Sequence, residues 1–185
     1  MKILLAIIIS ITITSCNDGL EHINKLKTSR NACCQGNLTL GSNEKNMRFG
    51  CRDIDEAIIC AKLQKKNILV IFSGWSVSSR LEWKVLDLFN DYDFITDNFI
   101  VAWLPCDDKT LLLDTTRVWN KNNLASIALK TRGDSNSVLQ IELLKENSIP
   151  MFCFVDTNRL IYGNRMGYTM QKKVVQEFML SGVKR

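Results

Sequence analysis

The feature that most constrains the fold is a continuous stretch in which a buried strand runs into a loop and then a helix. Residues 67–72 form an unbroken apolar run without polar alternation, the pattern of a strand covered on both faces. The loop that follows, residues 74–80, reads Gly-Trp-Ser-Val-Ser-Ser-Arg. Beyond it, apolar residues recur with helical spacing at Leu81, Val85, Leu88 and Phe89. Strand, loop and amphipathic helix in this order predict an α/β domain.

The flanking segments predict further elements of the same domain. Residues 47–49 form a candidate first strand, and Asp53 is a candidate cap for the helix that follows. The apolar stripe of that helix is Ile54, Ala57, Ile58 and Ala61. Residues 99–104 are the expected partner strand of residues 67–72, preceded by a short helix over residues 92–97. The amphipathic helix between the two strands is expected to dock one face on the sheet.

The second half of the chain predicts a long connection, a helix, a hairpin and a closing helix. Residues 106–136 are polar and long for an interior connection, which is typical of a functional or locally ordered insertion. The next helix has its apolar positions at Val138, Leu139, Leu143 and Leu144. Residues 151–155 and 160–162 predict an antiparallel hairpin. The last helix is predicted from a stripe at Met170, Val174, Phe178 and Met179.

The N-terminus has the pattern of an export signal. Residues 1–15 contain one charged residue, Lys2, and an apolar run too short to cross a bilayer as a stable helix. Residues 13–16, Ile-Thr-Ser-Cys, resemble the lipobox of bacterial lipoproteins, and the resemblance implies that Cys16 is lipidated and begins the mature protein. An ordinary cleaved signal with an incidental cysteine is the alternative. Both interpretations export the protein, and we expect it on the periplasmic side of the cell envelope, held to a membrane by lipid.

Length and composition predict one domain behind a tether. A chain of 185 residues with 46% hydrophobic composition is long enough for one sizeable core. Residues 16–46 are polar and aperiodic, as in a flexible tether, so the predicted domain covers residues 47–185. The net charge of +5 is spread along the chain without a dense basic run, which argues against nucleic-acid binding.

Two kinds of site are not expected from the residue types present. The single histidine, His22, lies in the predicted tether, which excludes a histidine-built metal site and leaves a serine nucleophile without a base. Phosphate loops and paired-glycine nucleotide motifs are absent from the sequence. We therefore expect neither a metal nor a cofactor.

The number of cysteines suggests disulfide bonds, because exported proteins often carry them. Besides Cys16 they are Cys33, Cys34, Cys51, Cys60, Cys106 and Cys153, and none forms a Cys-x-x-Cys pair. Spacing does not determine their connectivity, and a bridge between Cys51 and Cys60 is one possibility. Cys153 lies in an apolar run and is expected to be a small buried hydrophobe.

Five short sequences resemble one family. They are residues 67–75, 97–101, 106–110, 147–150 and 167–168. In this order they resemble the thioredoxin-like family, most closely the C-terminal thioredoxin-like domain of the disulfide-interchange protein DsbD and related Bacteroidetes proteins. The resemblance covers about residue 47 to the C-terminus. It implies a central mixed β-sheet flanked by helices, with an N-terminal strand and helix as an extension.

The same resemblance locates a redox motif whose sulfurs are missing. The family carries a cysteine pair where this chain has Ser76 and Ser79, and the loop here is one residue shorter. A thiolate attacks a disulfide, whereas a serine hydroxyl at neutral pH neither ionises comparably nor forms a mixed disulfide. The resemblance therefore does not carry reductase or isomerase activity to this chain. It does imply that Pro150 follows a cis peptide bond and that Ile149 lines a groove, with an ordinary trans proline as the alternative.

The loop residues have structural roles to weigh against functional ones. Ser79 and Glu82 have the spacing of a capping box, in which the hydroxyl binds a helix amide and the glutamate reaches back. We expect capping by Ser78 or Ser79 rather than catalysis. Trp75 is a candidate apolar platform for an extended peptide, with plain packing under the loop as the alternative.

Three functional hypotheses follow. The first is a binding or accessory module that lacks dithiol activity and presents a groove around Trp75, Ser76, Ile149 and Pro150 to an extended peptide or envelope protein. The second is thiol–disulfide interchange through a relocated sulfur. Its candidates are Cys106, which follows a strand near the same sheet edge, then Cys51 or the vicinal pair Cys33 and Cys34. The third is a purely structural envelope lipoprotein.

Overall fold

The computed structural model describes residues 50–74, 81–112, 118–121 and 125–183. In chain order the elements are α1 (Ile54–Gln64), β1 (Asn67–Ser73), α2 (Leu81–Phe89), α3 (Tyr92–Asn98), β2 (Phe99–Pro105), β3 (Val118–Lys121), β4 (Ala125–Ala128), α4 (Arg132–Leu144), β5 (Met151–Val155), β6 (Ile161–Met166) and α5 (Lys172–Ser181). Over these ranges no helix is both long and apolar enough to cross a membrane.

The central sheet is mixed and has four strands in the order β2-β1-β5-β6. Strands β1 and β2 are parallel, with Asn67 opposite Phe99 and Ser73 opposite Pro105. Strand β5 runs antiparallel to β1, and β6 runs antiparallel to β5. The predicted pairing of the two apolar strands and the predicted hairpin are both confirmed. The protein is therefore an α/β domain with a mixed sheet flanked by helices.

Helices cover both faces of the sheet. One face carries a continuous apolar cluster in which side chains of all four strands meet α2, α3 and α5. Its strand members are Leu69, Ile71, Phe99, Val101, Trp103, Phe152, Phe154 and Met166. Because successive residues of a strand alternate between faces, the intervening residues of β1 point to the opposite face. There α1 contacts β1 and β2, and α4 contacts β2.

Helix α1 begins where its sequence predicts. The side chain of Asp53 accepts hydrogen bonds from the backbone N–H groups of Asp55 and Glu56, at 2.7 and 3.3 Å. This cap satisfies two amides that would otherwise lack a helical partner. The predicted stripe is confirmed, since all four of its members are buried: Ile54, Ala57, Ile58 and Ala61.

The chain before α1 extends the sheet beyond β2. Cys51 forms an isolated parallel bridge with Ala102, in which its N–H donates to Val101 O and its carbonyl accepts from the Trp103 N–H, both at 2.9 Å. The strand predicted over residues 47–49 lies outside the described residues. The bridge places the start of the strand–helix extension beside β2.

Two predictions about the second half are wrong in detail. The long polar connection does contain local order, a hairpin of β3 and β4, but it ends earlier than predicted, because α4 begins at Arg132 rather than near Val138. The missed start signal is a capping box between Thr131 and Asp134, which fixes the helix boundary ahead of the apolar stripe. In α5, Phe178 and Met179 are buried as predicted, but Val175 is buried in place of Val174, which is 38% exposed. Met170 precedes α5 and is exposed, so the predicted stripe was displaced by one residue at its start.

Candidate functional site

Three chain segments converge at one end of the sheet, because β1 ends where β2 ends and where the antiparallel β5 begins. Ser73 lies opposite Pro105, and Phe72 lies opposite Met151. We name this the loop end and define it by Ser73, Gly74, Cys106, Ile149 and Pro150. In α/β folds, binding residues often lie on the connections that follow the ends of strands. The loop end is therefore where the sequence-predicted site is expected.

Several predicted site residues lie outside the described residues. These are Cys16, Trp75, Ser76 and Ser79. Gly74 is described and directly follows β1 at the loop end. Glu82, the other member of the predicted capping box, is buried in the first turn of α2. The roles predicted for the tryptophan and the two serines stay predictions.

The predicted cis bond is confirmed, because the Ile149–Pro150 peptide is cis. Pro150 is buried, whereas Ile149 keeps 43% of its surface exposed. A second exposed apolar side chain, Tyr168, is 46% exposed and follows Gly167. A Cβ atom on Gly167 would lie 4.0 Å from the Pro150 carbonyl oxygen, so this turn passes beside Pro150. Two large, exposed apolar residues therefore adjoin this proline in the chain or in the turn beside it: Ile149 precedes Pro150, and Tyr168 follows Gly167.

Tyr168 was not predicted as a site residue. Its signal in the sequence is the Gly167-Tyr168 pair, which forms part of the family resemblance, but the pair alone assigns no role to the tyrosine. Its position follows from the register of β5 and β6, in which Phe152 lies opposite Met166. That register brings the residues after β6 to the residues before β5.

Cys106 is at the loop end, as predicted from its position after β2. Its N–H donates to the carbonyl of Ser73 at 2.7 Å, and the Ser137 hydroxyl donates to the Cys106 carbonyl at 3.1 Å. Its thiol donates to Gln140 Oε1 at 3.3 Å. Burial raises the pKa of this thiol to about 11, with Ser137 acting to lower it and Asp107 to raise it. At neutral pH the sulfur is therefore a protonated hydrogen-bond donor and a poor nucleophile.

None of the other described cysteines is an exposed free thiol. Cys51 and Cys60 each take part in a disulfide bond. Cys153 is free and lies in β5 opposite Val70, where burial raises its pKa to about 12 although Arg165 acts to lower it. The prediction that Cys153 is a small buried hydrophobe is confirmed. Cys33 and Cys34 lie outside the described residues.

Helix α4 holds the loop end through buried polar side chains. Gln140 Nε2 donates to the Ser148 carbonyl at 2.6 Å, one residue before Ile149. Asn136 Nδ2 donates to the Pro105 carbonyl at 2.9 Å, one residue before Cys106. Buried backbone carbonyls need such partners, because an unsatisfied buried polar group costs about 1 to 3 kcal/mol. These two amide side chains therefore position the chain on either side of the candidate site.

At the start of α4, the backbone packs directly against the backbone of the residues that follow β2. The Gly133 N–H donates to the Asp108 carbonyl at 2.8 Å. A Cβ atom at this glycine would lie 2.7 Å from Asp108 N and 2.8 Å from the Cys106 carbonyl oxygen. Only glycine permits this approach without displacement of the backbone.

Two polar atoms near this end are buried without a hydrogen-bond partner among the described residues, namely Ser73 Oγ and Asp108 Oδ2. The other oxygen of Asp108 accepts from the Thr110 N–H at 2.9 Å. The described part of the chain contains no group of three or more histidine, cysteine or acidic side chains that could hold a metal.

Comparison with known proteins adds no relative. No family model matches the chain, and a search of curated proteins finds no significant match.

Proposed function

We propose that this protein is an exported, lipid-anchored, thioredoxin-like module that binds an extended peptide or an envelope protein at its loop end without dithiol chemistry. The observation that carries the proposal is the exposure of two apolar residues, Ile149 immediately before the buried Pro150 and Tyr168 immediately after the glycine that passes beside it. The only described thiol at this end, Cys106, is held protonated. The site therefore has a surface for contact and no described nucleophile.

The fold assignment in this proposal rests on the sequence and is compatible with the architecture. A mixed sheet in the order β2-β1-β5-β6 with helices on both faces accommodates the strand–loop–helix unit at its centre. The cis proline opposite the end of β1 matches the implication of the resemblance. Ser76 and Ser79, in place of the family's cysteines, support binding without redox exchange.

Burial of apolar surface would provide free energy for binding a peptide at the loop end. Burying a side chain such as isoleucine contributes about 1.5 to 3 kcal/mol when it leaves water. Ile149 and Tyr168 together provide one aliphatic and one aromatic contact, and aromatic residues often anchor binding surfaces. The neighbouring backbone is fixed by Gln140 through Ser148, so little ordering is needed on binding.

A binding experiment tests the proposal. The probe is reduced, carboxymethylated α-lactalbumin, an unfolded chain without free thiols, titrated against the purified full-length protein by fluorescence anisotropy. Ile149→Asp is expected to weaken binding about tenfold, equivalent to about 1.4 kcal/mol, because the variant lacks the apolar side chain that the probe would bury.

The matched control is Leu160→Asp. Leu160 is also exposed and apolar, but it lies in the turn between β5 and β6, at the other end of the sheet. This variant is expected to bind as the unmodified chain does. Absence of binding, or equal weakening by both variants, would contradict a groove at the loop end.

Thiol–disulfide interchange through Cys106 is the alternative, and its position beside Ser73 at the loop end favours it. The test is insulin reduction by dithiothreitol, which the protein is expected not to accelerate. Acceleration that disappears in Cys106→Ser would support the alternative instead. Alkylation by iodoacetamide supplies a second readout: at pH 8 the raised pKa is expected to slow labelling of Cys106 roughly 100-fold relative to the unfolded chain.

A further inference from the structure

Two described cysteines form disulfide bonds at covered positions. Cys51 and Cys60 each take part in a disulfide bond, and each keeps only 1% of its surface exposed. Cys51 pairs in parallel with Ala102 of β2, the edge strand of the sheet, and Cys60 lies in α1, which contacts β2. Both bonded cysteines therefore belong to the part of the domain that follows the N-terminal segment in the sequence.

The position of Cys60 on α1 indicates where its sulfur points. The buried stripe of this helix consists of Ile54, Ala57, Ile58 and Ala61. At about 3.6 residues per turn, Cys60 lies about 60° around the helix from Ala57, at the margin of the stripe. A side chain at the margin points along the sheet rather than down into it. A segment that lies beside the helix can therefore reach this sulfur.

The free cysteines narrow the choice of partners. Cys106 and Cys153 are free thiols, so neither takes part in these bonds. The other cysteines of the chain are Cys16, Cys33 and Cys34. Cys16 is set aside because a lipid thioether occupies its sulfur in the proposed function. The vicinal pair of cysteines is what remains in the N-terminal segment.

A single bond between Cys51 and Cys60 is the competing arrangement. It would leave Cys33 and Cys34 without partners in an oxidising compartment, where thiols are commonly converted to disulfides. The two do not easily bond to each other, because the Cα atoms of neighbouring residues are about 3.8 Å apart and a disulfide usually spans about 4.4 to 6.8 Å. Two bonds that each use one member of the vicinal pair satisfy all four sulfurs.

The segment between the vicinal pair and the domain has little apolar surface to bury. Residues 35–46 read Gln-Gly-Asn-Leu-Thr-Leu-Gly-Ser-Asn-Glu-Lys-Asn, and the two leucines are the only large apolar residues in this sequence. A composition of this kind contributes little burial to hold a segment in place. Disulfide bonds that close such loops constrain the unfolded chain, so they supply what burial does not.

We infer that two disulfide bonds join Cys33 and Cys34 to Cys51 and Cys60, one bond to each, and fasten the N-terminal segment to the first helix and the edge of the sheet. Their formation removes four electrons and four protons from four thiols. Thiol–disulfide exchange passes these to two disulfides of an oxidant in the export compartment, which become dithiols.

The bonds would shorten the flexible tether from residues 16–46 to residues 17–32. Cys33 then lies within about 60 Å of the lipid-bearing Cys16 even when this segment is fully extended. The inference rests on the export and the lipid anchor of the proposed function, but not on its binding surface at the loop end.

Peptide mapping without reduction tests the inference. Full-length protein is extracted from membranes of the expressing bacterium, its free thiols are blocked with N-ethylmaleimide under denaturing conditions, and the monomer is digested with trypsin. Cleavage after lysine and arginine places the vicinal pair in residues 31–45, Cys51 in residues 49–52 and Cys60 in residues 53–62. We expect one species that contains all three peptides and separates into them on reduction.

Any other linkage overturns the inference. A species of residues 49–52 joined only to residues 53–62 would identify a bond between Cys51 and Cys60 and would leave the proposed function intact. Linkage of either peptide to the one that carries Cys16 would contradict the lipid anchor as well.

Counting the thiols labelled by N-ethylmaleimide in the denatured protein supplies a second readout. Cys34→Ser is expected to add one labelled thiol, because it frees the partner of Cys34. If Cys51 bonds to Cys60 instead, the same change removes one labelled thiol, since Cys34 was then free. Cys106→Ser is the matched control and should remove one label in either case. Loss of a label in Cys34→Ser would overturn the inference.

Discussion

The two ends of the sheet are stabilised by different means. We name the end opposite the loop end the aromatic end and define it by Phe99, Phe154, Tyr162, Phe178 and Gly182. There Phe154 stacks on Phe178 with ring centroids 4.5 Å apart and packs against Phe99 at 5.1 Å. Gly182 fits against the Phe154 ring, where a Cβ atom would lie 2.3 Å from it. This end is closed by ring packing.

Hydrogen bonds from side chains to backbone occur at both ends, since Asn67 Nδ2 and Tyr162 Oη donate to the Gly182 carbonyl at 3.1 and 3.2 Å. At the loop end they act from the buried side of a helix. Gln140 and Asn136 engage carbonyls on either side of it, and Gly133 brings α4 against the chain after β2. Hydrogen bonds fix backbone direction without filling the surface, so Ile149 and Tyr168 stay exposed. The difference indicates that the aromatic end supplies much of the stability and the loop end supplies the contact surface.

The largest expected effect is at the aromatic end. Phe154→Ala is expected to lower the free energy of unfolding by about 3 to 5 kcal/mol, because it leaves a cavity where three other rings now pack. Urea unfolding followed by circular dichroism measures it. The control Leu160→Ala, at an exposed position of the neighbouring turn, should change stability by less than about 0.5 kcal/mol. Similar losses in both variants would refute the role given to the rings.

A smaller effect is expected where α4 meets the chain after β2. Gly133→Ala is expected to destabilise by about 2 kcal/mol, since the new methyl group meets backbone atoms at under 3 Å. The sign is diagnostic, because glycine to alanine within a helix is otherwise stabilising by up to about 1 kcal/mol. Gly167→Ala is the control, as its Cβ would find only contacts at 3.9 Å and beyond. A stabilised Gly133→Ala variant would show that this close approach does not exist.

Removing the amide of Gln140 tests how the loop end is held. Gln140→Met keeps the side-chain length but leaves the Ser148 carbonyl and the Cys106 thiol without this partner, for an expected loss of about 1 to 2 kcal/mol. Hydrogen exchange of residues 146–149 should accelerate with it. Gln176→Met, at an exposed position of α5, is the matched control and should alter neither quantity. If hydrogen exchange of residues 146–149 is unchanged in Gln140→Met, the hydrogen bond from α4 does not hold this part of the chain.

The smallest effect concerns the capping box of α4. Asp134 Oδ2 accepts from the N–H groups of Thr131 and Lys130 at 2.8 and 3.0 Å. Partial burial alone would raise the pKa of Asp134, but these hydrogen bonds bring it below its ordinary 3.8. A carboxyl whose pKa is lower in the folded state contributes stability above its unfolded pKa and loses it as the pH falls through the folded value.

Asp134→Ala is therefore expected to cost about 1 kcal/mol at pH 7, measured by urea unfolding. The difference from the unmodified protein should fade below about pH 4, as the carboxyl of the unmodified chain becomes protonated. A difference that stays constant down to pH 2 would mean that the cap does not act through its charge.

The sequence is sufficient to predict the apolar strands and helices of the core, but it does not predict the polar contacts that hold the candidate site. Runs such as residues 67–72 and 151–155 predict strands because burial on both faces leaves no polar position. Gln140 and Asn136 carry no such signal, since polar residues on a helix usually face solvent and only the tertiary position of α4 brings carbonyls to them. For the same reason the sequence shows Tyr168 only as part of the Gly167-Tyr168 pair and does not predict that its side chain is exposed at the loop end.

The wrong residue in α5 has a similar origin. Val174 and Val175 are adjacent, and each fits a helical stripe with Phe178. The choice depends on where the helix begins, and Lys172 as its first residue excludes Met170 from the stripe. Helix boundaries are set by local capping and by tertiary packing, which periodicity does not resolve.

Backbone amide chemical shifts during titration with carboxymethylated α-lactalbumin test the central claim most directly, because they report on both ends of the sheet in one sample. We expect the largest changes at Gly74, Ile149, Gly167 and Tyr168, with residues of the aromatic end unaffected. Changes concentrated around Phe99 and Gly182, or no changes at saturating probe, would contradict a binding surface at the loop end.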